Sequence, residues 1–303
     1  MGGSALRSHF TSFDFRPGQM TDSRTASTII LLRDAESGPE VFLAKRHIKS
    51  DFVGGAHVFP GGVVEPADAL DEALCAGRTD DSASKALELP RGGLAYWVAA
   101  IRECFEEAGM LLAYDSQGRI LAFEGEHIGE RFRSYRRALN ANQMSFAGML
   151  LRERLKLATD RVYYWGHWVT PEGEPRRYDT RFFLAVAPER QTAAHDGREL
   201  TDSAWVPPAV ALEKARTREW TIIFPTVRNL MLLNAFQTAR DAESYARQLR
   251  NIPMILPRVV SDEKGTRILM PGDEGYERES ATADAATAQN YAGPPENGDD
   301  RGG

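Results

Sequence analysis

The pattern of apolar and polar positions along the chain predicts strands and helices that do not alternate regularly. Residues 27–32 and 41–45 are short β-prone runs separated by turn residues, which is typical of a hairpin. Further apolar runs predict strands over residues 110–114, 162–170, 178–186 and 203–206. Because there is no internal repeat and no regular β-α alternation, the pattern favours an α+β fold over a doubly wound sheet.

Helical periodicity is clearest between these strands. It predicts a helix over residues 94–108 that ends at Gly109, a residue suited to the left-handed position after a helix. A helical block over residues 126–157 is predicted to contain two helices, broken near residues 140–145. Two later helices are expected, one from Pro208 to about residue 218 and one over residues 225–239.

The predicted helix over residues 94–108 carries an unusual charge pattern. At 100° per residue, Glu103, Glu106 and Glu107 fall within an arc of about 100°, while the apolar residues lie on the opposite side. Like charges at this spacing destabilise a helix by a few tenths of a kcal/mol each, so the cluster points to a bound cation. Three carboxylates suit a hard divalent ion, Mg²⁺ or Mn²⁺. The alternative is an ordinary solvated face rich in glutamate.

Charge is distributed unevenly along the 303 residues. Residues 271–303 hold eight acidic and two basic residues, which account for the whole net charge of −6. We therefore expect a disordered acidic tail over residues 271–303, a flexible arm over residues 1–24 and one domain over residues 25–270. The near-neutral body excludes a basic nucleic-acid-binding protein. No prediction of oligomeric state follows from these patterns.

Three kinds of targeting segment are not expected from the sequence. It has no run of 18 apolar residues, no apolar signal-peptide core near Met1 and no Ser-Lys-Leu ending. Cys75 and Cys104 are too few for a disulfide framework and are expected to be buried or half-buried thiols. These features favour a cytoplasmic protein without a membrane partner.

A glycine-rich loop at residues 51–68 precedes the acidic helix, and the two together resemble the Nudix box. The box pattern is Gly-x5-Glu-x7-Arg-Glu-U-x-Glu-Glu-x-Gly-U, where U is an aliphatic residue. Asp68 stands at the first glutamate position, and the seven-residue spacer has grown to residues 69–101, with an insertion at about residues 69–93. The matching positions are Gly62, Arg102, Glu103, Glu106, Glu107 and Gly109.

The interruption of the box limits the resemblance to one group within the Nudix proteins. Residues 52–64, the insertion and residues 168–185 together resemble the Nudix motif-19 type of protein, whose members are linked to hydrolysis of coenzyme A and acyl-CoA. The resemblance implies an α/β/α sandwich with a mixed sheet and an added helical block. It also implies a small-molecule nucleoside diphosphate-type substrate. The preferred one is CoA or acyl-CoA, cut to 3′,5′-ADP and an (acyl-)4′-phosphopantetheine.

Two alternatives to this substrate remain open at the sequence level. One is hydrolysis of another nucleoside diphosphate derivative, such as NADH or ADP-ribose. The other is a ligand sensor on the same fold without turnover, although three intact glutamates argue against it because binding alone needs no charge cluster.

The resemblance also implies roles for individual residues. Glu103 and Glu107 are the expected metal ligands and catalytic carboxylates, with Glu106 supporting them, and Arg102 is expected to orient carboxylates by a bidentate pair. The general base is either Glu103 or Glu199. The alternative for Glu199 is an ordinary exposed glutamate of a loop, without a catalytic role. Gly61 and Gly62 are expected to approach the substrate.

Arginines supply the remaining candidates for substrate binding. Arg176, Arg177 and Arg181 flank an apolar strand and suit the phosphates of CoA, including its 3′-phosphate. Pairing with Glu172, Glu174 or Asp179 is the alternative. The basic residues of the block at 126–157 are expected to be a solvated face, with a phosphate-binding surface as the alternative.

Overall fold

A computed structural model describes residues 23–48, 53–174, 176–197, 199–262 and 265–276. The strands are β1 (Arg24–Ala35), β2 (Gly38–Arg46), β3 (His57–Val58), β4 (Gly61–Val63), β5 (Ala113–Tyr114), β6 (Lys156–Leu157), β7 (Tyr163–Val169), β8 (Tyr178–Val186), β9 (Leu200–Val206), β10 (Met254–Ile255), β11 (Arg258–Asp262) and β12 (Gly265–Leu269). The α-helices are α1 (Asp80–Ala86), α2 (Leu94–Glu103), α3 (Glu126–Asn140), α4 (Phe146–Glu153), α5 (Pro208–Arg216), α6 (Phe224–Leu233) and α7 (Ala239–Gln248).

Eight strands form one mixed sheet. Its main path runs β10-β7-β8-β1-β2-β3, with β4 added on β1 and β9 added on β2. Strand β1 runs parallel to β8 but antiparallel to β2 and β4. Strands β5 and β6 pair with each other outside this sheet, as do β11 and β12. The α+β prediction with a mixed sheet is therefore confirmed.

Helices cover both faces of the sheet. Because successive side chains of a strand point to opposite faces, Phe182 and Phe183 of β8 enter different cores. Phe183 packs in the core that contains α2, α3 and α4, where Trp97 is fully buried. Phe182 packs in the core formed with α5, α6 and α7. The result is the α/β/α sandwich that the resemblance implies.

Several elements follow the sequence predictions closely. Strands β1 and β2 form the expected antiparallel hairpin, and the block at 126–157 contains two helices, α3 and α4, separated by residues 141–145. Helix α2 continues into a π-helical turn (Cys104–Ala108), and Gly109 ends it with φ +73°. The inserted residues 69–93 carry only short helical pieces, including α1.

Two predicted elements were wrong in extent. The helix expected over residues 225–239 ends at Leu233, and Thr238, which accepts a hydrogen bond from the amide of Asp241, begins a separate helix, α7. The strand expected over residues 110–114 is reduced to Ala113–Tyr114. The side chain of Gln191 hydrogen-bonds both the amide and the carbonyl of Leu111 and so replaces a strand partner there.

The chain ends were assigned from composition alone. Residues 1–22 of the predicted arm and residues 277–303 of the predicted tail lie outside the described residues. Tyr276 is buried, and its hydroxyl donates to the carbonyl of Leu256, so packing extends past residue 270. Within the described ranges, no helix combines the length and apolar character needed to cross a bilayer.

Candidate active site

The acidic residues of the box lie where α2 crosses the glycine-rich strand β4. Helix α2 packs on β1 and β4, and its apolar side, including Ile101, faces the core together with Phe105 of the π-helical turn. This packing brings the start of the π-helical turn over Gly62. A Cβ on Gly62 would lie 2.3 Å from Oε1 of Glu103, so a larger residue here would displace this carboxylate. π-Helical turns are often found at functional sites.

Gly61 is required for a related reason. A Cβ there would lie 2.6 Å from the carbonyl oxygen of Ser27 in the neighbouring strand β1. Its amide donates to Oε2 of Glu107 over 2.8 Å. The two glycines thus bring the backbone of β4 against Glu103 and Glu107, and the amide of Gly61 binds a carboxylate of the chain itself.

Arg102 forms ion pairs with three carboxylates of the box. Its Nε and Nη2 bind the two oxygens of Asp68 at 2.8 and 3.0 Å, and its Nη2 also donates to the carbonyl of Val63. Its Nη1 donates to Glu103 at 2.7 Å and to Glu106 at 3.0 Å. Burial opposes its charge, but these anionic partners outweigh burial and raise the pKa of Arg102.

Asp68 therefore fills the structural position that the box assigns to glutamate. It is 1% exposed, and it also accepts a hydrogen bond from the amide of Glu65. The shorter carboxylate meets Arg102 with two parallel bonds, the strongest geometry for such a pair. The structure has the bidentate pair that the sequence predicts for Arg102.

A pocket of about 450 Å³ opens above this cluster. Its lining residues include six acids and one base, a ratio that leaves negative charge in excess. They are Glu65, Arg102, Glu103, Glu106, Glu107, Leu139, Asn140, Asn142, Asp196 and Glu199.

The electrostatics of the three box glutamates reflect this excess. Burial raises the pKa of Glu107, and the charges of Glu103 and Glu199 raise it further. Burial also raises the pKa values of Glu103 and Glu106, although Arg102 opposes the shift in both. Buried carboxylates with too little positive charge nearby are characteristic of functional sites.

The donor set fits a hard divalent cation by its chemistry, since carboxylate oxygens are the ligands that such ions prefer. Among the described residues, no group of three or more His, Cys, Asp or Glu side chains has an arrangement that could hold a metal ion as it stands. Hydrogen bonds from Arg102 occupy oxygens of Glu103 and Glu106, and Gly61 occupies one of Glu107. A cation would therefore use the remaining oxygens or compete with Arg102.

Glu199 reaches the pocket from a different part of the chain. The loop before β9 is held by Asp196, whose carboxylate accepts from the amides of Glu199 and Leu200. Glu199 also pairs with Arg46 at 3.2 Å, and its carbonyl accepts from the amide of His47. Its side chain is 56% exposed, more than any of the three box glutamates.

The predicted arginine site lies elsewhere. Arg176, Arg177 and Arg181 are not among the residues that line this pocket. Arg181 is 5% exposed and pairs with Asp179, which was the alternative weighed for it. Its guanidinium lies 5.5 Å from the centre of the Tyr96 ring at the other end of α2. Substrate binding by the three arginines stays a prediction.

Sequence reasoning missed part of the pocket wall. Glu65 belongs to the box loop, and its position three residues after Gly62 was available as a signal. Asn140 and Asn142 fall where the sequence indicates only a break between helices, so nothing in the pattern placed them at the site. The prediction of a solvated face was wrong for Arg136, whose half-buried side chain binds the carbonyls of Glu106 and Glu107.

Known proteins resemble this chain over most of its length. The acyl-coenzyme A diphosphatase NUDT19 of Gallus gallus is 29% identical, and the match covers 78% of this chain and 72% of that protein. The protein of the same name from Homo sapiens is 27% identical, over 89% of this chain and 84% of its own.

A solved structure agrees with the fold described above. A NUDIX hydrolase from Alicyclobacillus acidocaldarius, solved by crystallography, is 29% identical and superposes with a TM-score of 0.58, covering 74% of this chain and 97% of that one. The family model described as the NUDT19 Nudix domain matches residues 71–233, more than half of the chain. The chain therefore belongs to the NUDT19 Nudix domain family.

Proposed function

We propose that the chain hydrolyses a diphosphate linkage with the help of a divalent cation, Mg²⁺ or Mn²⁺. The observation that carries this proposal is the pocket that brings together Glu103, Glu106 and Glu107, with Glu103 and Glu107 against the Gly61–Gly62 backbone. Such a pocket has more negative charge than Arg102 neutralises, and a cation bound there would supply the balance.

The preferred substrate is coenzyme A or an acyl-CoA, with 3′,5′-ADP and an (acyl-)4′-phosphopantetheine as products. Support comes from the relatives named acyl-coenzyme A diphosphatase, which match more than 70% of this chain and of their own length. A diphosphate ester resists hydrolysis because its negative charge repels an attacking water.

The proposal assigns a role to each charged residue of the box and to Glu199. Glu103 and Glu107 hold the cation, Glu106 supports them, and Arg102 keeps Glu103 and Glu106 in place. When bound, the cation neutralises phosphate charge and lowers the pKa of a bound water. Glu199, at the more open side of the pocket, accepts the proton of the attacking water, with Glu103 as the alternative base.

Gly61, Gly62 and the arginines would contact the substrate. The glycine backbone approaches the diphosphate because no side chain intervenes. Arg176 and Arg177 are proposed to meet the 3′-phosphate of CoA. Arg181 is the weakest of these candidates, because its burial and its pair with Asp179 already explain it.

The decisive experiment assays the full chain with Mg²⁺ or Mn²⁺ against CoA, acetyl-CoA, NADH and ADP-ribose, with products separated by chromatography. We expect 3′,5′-ADP from CoA and acetyl-CoA at the highest kcat/KM. Cleavage of NADH or ADP-ribose alone would remove the CoA proposal but keep the hydrolase. No cleavage of any of the four would reject the enzyme.

A further inference from the structure

Arg136 of α3 makes the two shortest hydrogen bonds between the added helical block and the acidic turn. Its Nε donates to the carbonyl oxygen of Glu106 over 2.8 Å, and its Nη2 donates to that of Glu107 over 2.6 Å. Both contacts are made to the main chain of residues whose carboxylates line the pocket. A residue outside the box is thus bonded to two consecutive peptide groups within it.

These two carbonyls need a partner from outside the helix. The last carbonyls of a helix have no intrahelical donor. Here the amide of Gly109 donates to the carbonyl of Phe105, and the amide of Ala194 donates to the carbonyl of Ala108 over 2.9 Å. The carbonyls of Glu106 and Glu107 accept from Arg136, with a longer contact of 3.4 Å from Asn140 to Glu106.

The fit around the guanidinium is close. A Cβ on Gly109 would lie 2.9 Å from Nη1 of Arg136, so the left-handed glycine also makes room for this side chain. A planar guanidinium presents its donors in a fixed fork and matches two neighbouring oxygens. A lysine ammonium in its place has no such fork to fix both peptide planes.

We propose that Arg136 is a positioning residue for the cation-binding turn, an inference that rests on the proposed function. By holding the carbonyls of Glu106 and Glu107, it sets the rotation of their peptide planes and so the directions of their carboxylates. It is not a catalytic residue, because its contacts are to the main chain. The helical block then supports the cation site through this side chain.

The test compares full-length wild type with Arg136→Gln, Arg136→Lys and the control Arg133→Gln. Arg133 is on the same helix, but it is exposed and pairs with Glu130. Binding of Mn²⁺ alone is measured by electron paramagnetic resonance of the free ion. Loss of a residue that orients metal ligands typically costs 10- to 100-fold in affinity or activity. We expect the Kd of Arg136→Gln for Mn²⁺ to rise about 10-fold or more, Arg136→Lys to be intermediate, and Arg133→Gln to match wild type.

Kinetics add a second readout. At saturating Mn²⁺ and with CoA, Arg136→Gln should lower kcat with little change in KM, whereas a purely structural loss lowers only the amount of folded protein. Equal Mn²⁺ affinity and kcat in Arg136→Gln and Arg133→Gln would overturn the proposal. If Arg136→Gln does not fold, Arg136→Lys decides: a raised Kd supports positioning, and a wild-type Kd overturns it.

Failure of the proposed function is distinguishable from failure of this inference. Wild type that neither binds Mn²⁺ nor cleaves a diphosphate would reject the function and Arg136 positioning together. Wild type that binds and cleaves, with an unaffected Arg136→Gln, would reject only the role of Arg136.

Discussion

The two ends of helix α2 each meet a buried charged cluster, and the clusters differ in balance. At its carboxyl end, Asp68, Glu103 and Glu106 share the guanidinium of Arg102, and Glu107 binds the amide of Gly61 instead. At its amino end, Tyr96 lies against a second cluster, in which the carboxylate of Asp179 binds a guanidinium and an imidazole.

The two ends shift carboxylate pKa values in opposite directions. Burial opposes the charge of Asp179, but the hydrogen bond from His167 and the charge of Arg181 outweigh it and lower the pKa. Burial and two neighbouring carboxylates raise the pKa of Glu107. A carboxylate paired with a guanidinium has its charge balanced within the protein, whereas the excess of carboxylates at the other end calls for a cation. The carboxyl end of α2 is therefore the candidate for the cation site.

Asp68→Ala should have the largest effect, because it removes the partner that holds Arg102 in place. A buried ion pair that loses one member typically costs about 3–5 kcal/mol. We expect a loss of this size in the free energy of unfolding, measured by urea denaturation, together with loss of turnover as Arg102 turns fully to Glu103 and Glu106.

The matched variant Asp68→Glu keeps the charge and restores the residue of the box pattern. It should retain most of the stability and activity. A loss below about 1 kcal/mol in Asp68→Ala would show that Glu103 and Glu106 are sufficient partners for Arg102.

Glu107→Gln should abolish most turnover while leaving the fold intact. A bound cation contributes several kcal/mol of transition-state stabilisation, and about 4 kcal/mol corresponds to roughly 1,000-fold in kcat. The amide oxygen of glutamine can still accept from Gly61, so the melting temperature measured with a chelator should not fall. The exposed Glu130→Gln serves as the control. Near-normal kcat in Glu107→Gln would mean that the cation ligands are assigned wrongly.

Glu199→Gln should lower kcat by about 100-fold, the lower range for loss of a general base. Binding of Mn²⁺ should stay within a few-fold of wild type, because Glu199 is proposed to handle the proton rather than hold the cation. A kcat within twofold of wild type would transfer the base role to Glu103, the other candidate.

The sequence predicted the acidic end of α2 well because its signals are local. Three glutamates at helical spacing, an arginine before them and a glycine after them define a face, a partner and an end within eight residues. Asp68 was also found, since the glycine-rich loop fixes its place in the box despite the long spacer.

Contacts between distant segments were not predictable in this way. Arg136 lies about 30 residues from the carbonyls that it binds. Nothing in the sequence distinguishes it from the exposed arginines nearby, Arg133 and Arg137. Arg181 looked like a phosphate ligand by residue type alone. Its pairing with Asp179, two residues away on the same face of β8, was the alternative, and the sequence alone did not decide between the two.

Asp179→Ala tests the amino end of α2 and should have the smallest effect on turnover. It leaves Arg181 and His167 without their carboxylate, and because Asp179 is partly exposed, we expect a loss of about 2 kcal/mol in unfolding free energy, below the range for a fully buried pair. The Kd for Mn²⁺ and the KM for CoA should remain within about twofold of wild type. A KM raised tenfold or more with unchanged stability would instead place Arg181 at the substrate, and the contrast between the two ends of α2 would no longer hold.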